Sequence, residues 1–268
     1  MKLLYILGFA LLFAACGDEK NDRNDGSKTT PPNSSEPANI SYTISNVYPH
    51  DTASFTQGLE WHNGFLYEGT GLKGESKLLK VNLKDGKAVQ QLVLPAEFFG
   101  EGITIFNNNI YQLTWQEHKI FVYDATSFKK LKEYNWDYEG WGITNDGKNL
   151  IISTGSNNLY FVEPETMKIL KTVGVNSNYG PLSDINELEY VNGKIYANVW
   201  NSEYIAVINP ESGVVEGRID LSGILQKFNK DTYPERDVLN GIAYDSTSRT
   251  FYITGKKWPA LFELKLNG

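Results

Sequence analysis

Gln57-Gly58-Leu59-Glu60, Glu101-Gly102-Ile103-Thr104, Trp141-Gly142-Ile143-Thr144, Asn186-Glu187-Leu188-Glu189 and Asn240-Gly241-Ile242-Ala243 are five copies of one phrase. Each opens on a variable residue and runs through a small or acidic residue to Leu or Ile. A strand-like stretch follows and ends on a second variable residue. The spacing between the two variable residues is 14 in 57→71, 101→115, 141→155 and 186→200, and 16 in 240→256. A repeat this regular marks one supersecondary unit copied around an axis. The positions at which the copies differ are where function is expected.

Around each phrase the chain alternates short strand patterns with turn signals. The first unit predicts strands over Gly58–Trp61, Phe65–Gly71, Lys77–Leu83 and Ala88–Leu94, joined by the hairpin signals Asn63-Gly64 and Asp85-Gly86. Three further units repeat the scheme. The fifth supplies only Gly241–Asp245, Thr250–Thr254 and Ala260–Lys265, and the missing strand stands at the other end as Ile40–Tyr48. Closing the last unit with the N-terminal strand removes two open sheet edges. The expectation is therefore an all-β, five-bladed β-propeller of four-stranded antiparallel blades, with one helical turn in the long loop 221–239.

Bulk composition narrows the function classes. Hydrophobic residues make up 41% of 268, enough for a sizeable core, and the net charge of −7 with no long basic run argues against nucleic acid as a partner. Cys16 is the one cysteine, so an intrachain disulfide and a cysteine-rich metal site are both excluded. The apolar run Leu4–Ala15 is too short to span a membrane. With Leu12-Phe13-Ala14-Ala15-Cys16-Gly17 it resembles a bacterial lipoprotein signal, an ordinary secretory signal cleaved near Ala15 being the alternative. The reading is a signal peptide over 1–15, a lipid-anchored polar tether over 16–39 and a propeller over 40–268. It implies an exported lipoprotein of the cell envelope, a monomer held at a membrane by acylated Cys16.

In a propeller the first strand of each blade lines the central channel, so equivalent positions form rings. Ring one is Gln57, Glu101, Trp141, Asn186 and Asn240; ring two is Gly71, Trp115, Gly155, Trp200 and Lys256. The glycines of ring two are expected to leave room for a ligand. Any one ring tryptophan reads best as core. Three of them together with Glu101 and Lys256 read better as a site, because pockets combine aromatic walls with a few convergent polar groups. Trp61 and Trp136 lie outside the rings and read as blade packing. Among tryptophans, desolvation would favour the neutral form of Glu101 and Lys256 would oppose that shift, which suits a proton shuttle.

Other chemistries find little support. His50, His62 and His118 lack metal-ligand spacing and read as surface or capping residues. No G-x-S-x-G elbow is present. Asp184, Asn186 and Glu187 offer oxygen ligands for a structural calcium ion, as any acidic loop does.

Phe55-Thr56-Gln57-Gly58-Leu59, Phe99-Gly100-Glu101-Gly102, Gly140-Trp141-Gly142, Asn186-Glu187-Leu188-Glu189, Leu239-Asn240-Gly241-Ile242-Ala243 and Thr254-Gly255-Lys256 with Trp258-Pro259 resemble the motifs of the plant and bacterial type of glutaminyl-peptide cyclotransferase. The resemblance covers about residues 42–266. It implies a five-bladed propeller that converts N-terminal glutamine of peptides and proteins to pyroglutamate with loss of ammonia, without metal or organic cofactor. Carried over by motif, Glu101, Lys256, Gln57 and Asn186 would serve catalysis, and Phe55, Trp115, Trp141 and Trp200 would hold substrate, with Asn240 joining them from ring one. Gln57, Asn186 and Lys256 stay unranked as oxyanion donors. The competing readings are a non-enzymatic cell-envelope propeller that binds peptide or glycan, and a calcium-dependent propeller hydrolase or lactonase.

Overall fold

The computed structural model describes residues 36–228 and 234–267. Cys16, the apolar run before it and most of the polar segment after it lie outside the described residues.

Five four-stranded antiparallel arrays form the blades, and the expected strands are found within a few residues of their predicted ends. The first blade runs Thr56–His62, Phe65–Thr70, Lys77–Asn82 and Lys87–Val93. The second runs Gly100–Phe106, Asn109–Thr114, Lys119–Asp124 and Lys130–Asn135, and the third Ile143–Asn145, Leu150–Ser153, Asn158–Val162 and Ile169–Gly174. The fourth comprises Ile185–Val191, Lys194–Val199, Tyr204–Ile208 and Val215–Asp220. In the fifth, Leu239–Asp245, Thr250–Gly255 and Ala260–Asn267 are completed by Ser41–Pro49, which pairs antiparallel with Ala260–Asn267 from Ser41↔Asn267 to Pro49↔Ala260. A short helix, Ile224–Phe228, lies in the long loop where a helical turn was expected.

Two features were not read from the sequence. Ala38–Asn39, at the end of the segment assigned to the tether, pairs in parallel with the outer strand of the fourth blade. A two-residue hairpin, Asn176–Ser177 against Gly180–Pro181, interrupts the connection between the third and fourth blades.

The apolar core is divided among the blade interfaces. Leu78 and Leu94 of the first blade pack with Ile103, Ile110 and Phe121 of the second. Leu113, Ile120 and Trp136 meet Ile143, Leu150 and Ile152 across the next interface. Ile151 and Phe161 then meet Leu188, Ile195 and Ala206, and Ile205 and Val207 meet Ile242, Phe251 and Phe262. Leu261 and Tyr252 close the circle against Leu59, Leu66 and Leu79, where Trp61 also packs. Each blade thus has apolar residues on both faces, the burial pattern that stacked sheets require.

At the axis the second position of the phrase explains itself. A Cβ on Gly102 would lie 2.7 Å from Trp141 O, and one on Gly142 would collide with Asn186 O. Glycine is what lets adjacent inner strands approach this closely, and the Gly102 amide donates to Trp141 O at 2.8 Å across the interface. The fourth blade carries Glu187 instead. Its buried carboxyl accepts from the Leu59 amide at 3.1 Å and the Ile242 amide at 2.8 Å, joining the fourth blade to the first and fifth. Burial pushes its pKa well above the usual carboxylate range, while these two amides pull it down. Glu187→Gln keeps the size but replaces one acceptor with a donor facing an amide N–H. It is expected to destabilise by about 2 kcal/mol in urea unfolding, and an unchanged midpoint would remove Glu187 from the account of ring closure.

Candidate active site

The inner strands are built to push ring-one side chains out of the ladder. In four blades the register slips at the phrase: between Thr56 and Gly58, Gly100 and Ile103, Ile185 and Leu188, and Leu239 and Ile242. A bulge of this kind bends the strand and re-aims the extra residue. The residues at the bulges are Gln57, Glu101, Asn186 and Asn240. The third blade reaches the same end differently. Its inner strand begins only at Ile143, and Trp141 precedes it, fixed by its own amide on Ser153 O at 3.1 Å. Ring two is set by a second repeated bond: the amides of Gly71, Trp115, Trp200 and Lys256 donate to the carbonyls of Phe55, Phe99, Asp184 and Val238 at 2.8–3.0 Å.

These devices converge on a cavity of about 390 Å³ at one mouth of the channel. Glu101, Gln57, Asn186 and Lys256 are among its polar groups, and Phe55, Trp115, Trp141 and Trp200 among its aromatic walls. The structure brings together every catalytic and substrate-binding residue expected from the sequence except Asn240. That side chain is fully buried behind the cavity, where its Nδ2 donates to Thr56 O at 3.0 Å and Gln57 Oε1 at 3.2 Å. It shares a bulge position with the others but is turned toward its neighbour blade. Asn240 therefore orients Gln57: with Oε1 engaged, Gln57 is left its Nε2 as a donor.

Phe99, Asn201 and Asp237 also line the cavity, and Glu139 stands behind it; none of the four was singled out from the sequence. Phe99 and Glu139 had a signal. Two residues before ring one, the copies read Phe55, Phe99, Glu139, Asp184 and Val238, a third ring just outside the phrase. Phe55, Phe99 and Trp115 form an edge-to-face series with centroids 6.2 and 5.5 Å apart, and Trp141 meets Trp200 at 6.1 Å. The glycines of ring two do not leave room for a ligand. A Cβ at Gly71 would collide with Phe99, and one at Gly155 would lie 2.6 Å from the Trp141 ring. They admit the aromatic walls instead.

The charges are strongly perturbed. Glu101 is 4% exposed. Burial drives its pKa well above the usual range, Lys256 pulls it back, and Glu139 and Glu117 push it up. Burial lowers the pKa of Lys256, opposed by Glu101 and Asp237, and its Nζ sits 4.8 Å from the centroid of Phe55. Asn186 Oδ1 is buried with no hydrogen-bond partner in the protein.

The turn that carries Lys256 is anchored on both sides. Lys257 N donates to Ser54 O at 2.8 Å, and the Trp258 indole donates to Asp237 O at 2.8 Å. His50, expected as a surface or capping residue, has a side chain only 5% exposed and contacts Trp258 O at 2.7 Å and Glu68 Oε1 at 3.1 Å. Burial alone would lower its pKa, yet the Glu68 carboxylate and the Trp258 carbonyl raise it overall, in keeping with an imidazolium that donates from both nitrogens.

Among the described residues no three His, Cys, Asp or Glu side chains are grouped to hold a metal ion. Glu187, weighed with Asp184 and Asn186 as a calcium ligand, has both carboxylate oxygens on backbone amides.

The fold and cavity together describe a five-bladed propeller with one buried carboxyl in an aromatic pocket at its mouth, and similarity to known proteins narrows the class. The profile of the family described as glutamine cyclotransferase matches residues 13–266. A glutaminyl-peptide cyclotransferase of Arabidopsis thaliana is 40% identical over 221 residues, covering 82% of this chain and 69% of that protein. The crystal structure of Myxococcus xanthus glutaminyl cyclase superposes with a TM-score of 0.80 at 36% identity, covering 87% of this chain and 99% of that one. The chain belongs to the glutamine cyclotransferase family.

Proposed function

We propose that this chain closes the N-terminal glutamine of peptides and proteins into pyroglutamate and releases ammonia, with Glu101 moving the protons. The observation that carries the reading is the environment of Glu101: one carboxyl with a raised pKa, buried in an aromatic cavity beside amide donors. The α-amine of the substrate must attack its own γ-amide carbon, and at neutral pH much of that amine is protonated. Glu101 accepts a proton from the amine as the C–N bond forms. It returns the proton to the amide nitrogen as that C–N bond breaks and ammonia leaves. One group serves both steps because both nitrogens are bound to the same carbon in the tetrahedral intermediate.

The amide partners divide the remaining work. Gln57, its oxygen held by Asn240, offers Nε2 to the oxygen on which negative charge develops. Asn186 Oδ1, unpaired in the protein, supplies an acceptor for the substrate amine. The tryptophan faces attract the ammonium form, hold the folded side chain in a near-attack conformer and exclude water. No step is assigned to a metal. The proposal extends to location: Cys16 as the acylated residue of a cell-envelope lipoprotein, on the strength of the sequence motif.

Mass spectrometry of a Gln-initiated peptide incubated with the protein tests the activity. Loss of one ammonia is expected, insensitive to chelators, with a Glu-initiated peptide far slower. Tight binding of Gln peptides without any mass change would overturn the reading in favour of a peptide-binding propeller.

A further inference from the structure

Glu139 is outside the cavity lining, yet it touches two of its walls. Its Oε2 accepts from the Trp115 indole at 2.8 Å and from the Trp141 indole at 3.1 Å, and its Oε1 accepts from Gln116 Nε2 at 3.0 Å. The two indoles come from different blades, and no ring contact links them directly. Trp115 leans on Phe99, and Trp141 leans on Trp200. The carboxylate is therefore the junction between the two halves of the aromatic wall.

We propose that Glu139 is a positioning residue of the cyclisation site, which clamps Trp115 and Trp141 into one substrate-gripping wall. The inference rests on the function proposed above. A buried indole N–H needs an acceptor, and a single oxygen serving two of them fixes both rings at once. The hydrogen bonds from Gln116, Trp141 and Trp115 outweigh the upward pull of burial and hold the Glu139 pKa below its usual value, so the clamp is anionic at neutral pH. A negative charge at the indole N–H edges makes the ring faces more attractive to an ammonium group. The same charge raises the pKa of Glu101 while Lys256 lowers it. Glu139 and Lys256 thus act on one proton shuttle with opposite signs.

Two substitutions separate clamp from charge. Glu139→Gln keeps an oxygen for the indoles, and Gln116 can turn its own amide to accept from the new amide; only the charge is lost. Its KM is expected within about threefold of wild type, since charge-to-neutral exchange weakens rather than deletes the bonds. The acid limb of its kcat/KM profile should move to lower pH, because removing an anion near Glu101 lowers that group's pKa. Glu139→Ala deletes the clamp and leaves two indoles without an acceptor, and KM should rise about tenfold. A KM unmoved in Glu139→Ala, or one raised as far in Glu139→Gln as in Glu139→Ala, overturns the proposal. Should the protein turn over no Gln peptide at all, the function proposed above falls separately. The clamp is then read from quenching of tryptophan fluorescence by the same peptide, with a Kd about tenfold weaker expected in Glu139→Ala and near wild type in Glu139→Gln.

Discussion

Glu101→Gln should reduce kcat for a Gln-initiated peptide by about a thousandfold, within the range that general acid–base groups contribute, and should leave the protein at least as stable. The substitution is nearly isosteric, so the cavity keeps its shape and KM should change little. What disappears is the ability to take and return a proton. The stability half follows from the raised pKa. A carboxyl whose folded-state pKa exceeds its unfolded value favours folding while protonated, and that advantage is lost as pH rises from the unfolded value through the folded one. Around neutrality the wild-type protein therefore carries a strained acid that the amide relieves. Thermal unfolding at pH 7 should show a melting temperature equal to or above wild type. Normal turnover in this variant would remove Glu101 as the shuttle.

The same raised pKa fixes the pH dependence of the active protein. Glu101 must be ionised to accept the proton of the amine, so the acid limb of kcat/KM should lie above the usual carboxylate range. Three more carboxyls further along the channel share the direction without lining the cavity. Glu60 is pushed up to about 7 by burial, and Glu187 and Glu189 are raised well above their usual value. Burying acids along the axis is costly, and these three stand in the first and fourth blades, where Glu60 accepts from Thr104 at 3.0 Å and Glu187 from two amides.

How far the sequence led can be judged at particular residues. The fivefold phrase identifies inner strands because the close approach at the axis demands glycine at 58, 102 and 142, where a Cβ would collide with neighbouring backbone. Gly241 answers a positive φ, and only the fourth blade carries a side chain, Glu187, at that position. The strands that follow were legible for the same kind of reason: Asn63-Gly64 and Asp85-Gly86 are turn chemistry written into the chain. Ring membership was legible too, since a bulge at a repeated position ejects a repeated residue. Side-chain direction was not. Asn240 and Asn186 share that position and residue type, but Asn240 finds Gln57 and Thr56 within reach and turns to them, whereas Asn186 faces the cavity. The glycines at 71 and 155 failed for a related reason, since the space a missing Cβ opens is claimed by Phe99 and Trp141 from elsewhere in the sequence. Glu139 lay two residues outside the phrase, in the blade whose first strand starts late. His50 is paired across the closure of the ring with Glu68 and Trp258, contacts that spacing alone does not reveal.

Lys256→Met should lower kcat/KM at pH 7 by about a hundredfold, the scale expected when a buried charge beside a developing oxyanion is lost. Methionine fills a similar volume, and the turn beneath it is held by backbone bonds from Lys257 to Ser54 and from Lys256 to Val238, so the fold should persist. Two physical routes lead to the loss, and pH separates them. Lys256 stabilises the ionised form of Glu101. Without it the Glu101 pKa rises further, the acid limb moves to higher pH, and activity recovers as alkali ionises the carboxyl. If instead Lys256 donates to the oxyanion, the loss persists at every pH, because no other cation replaces the bond. Burial already lowers the Lys256 pKa. Wild-type activity should therefore also fall on the alkaline side as the ammonium is lost, a limb that Lys256→Met must lack if the charge matters. A variant that kept that alkaline limb, with an acid limb in its wild-type place, would show that Lys256 acts on neither Glu101 nor the amide oxygen.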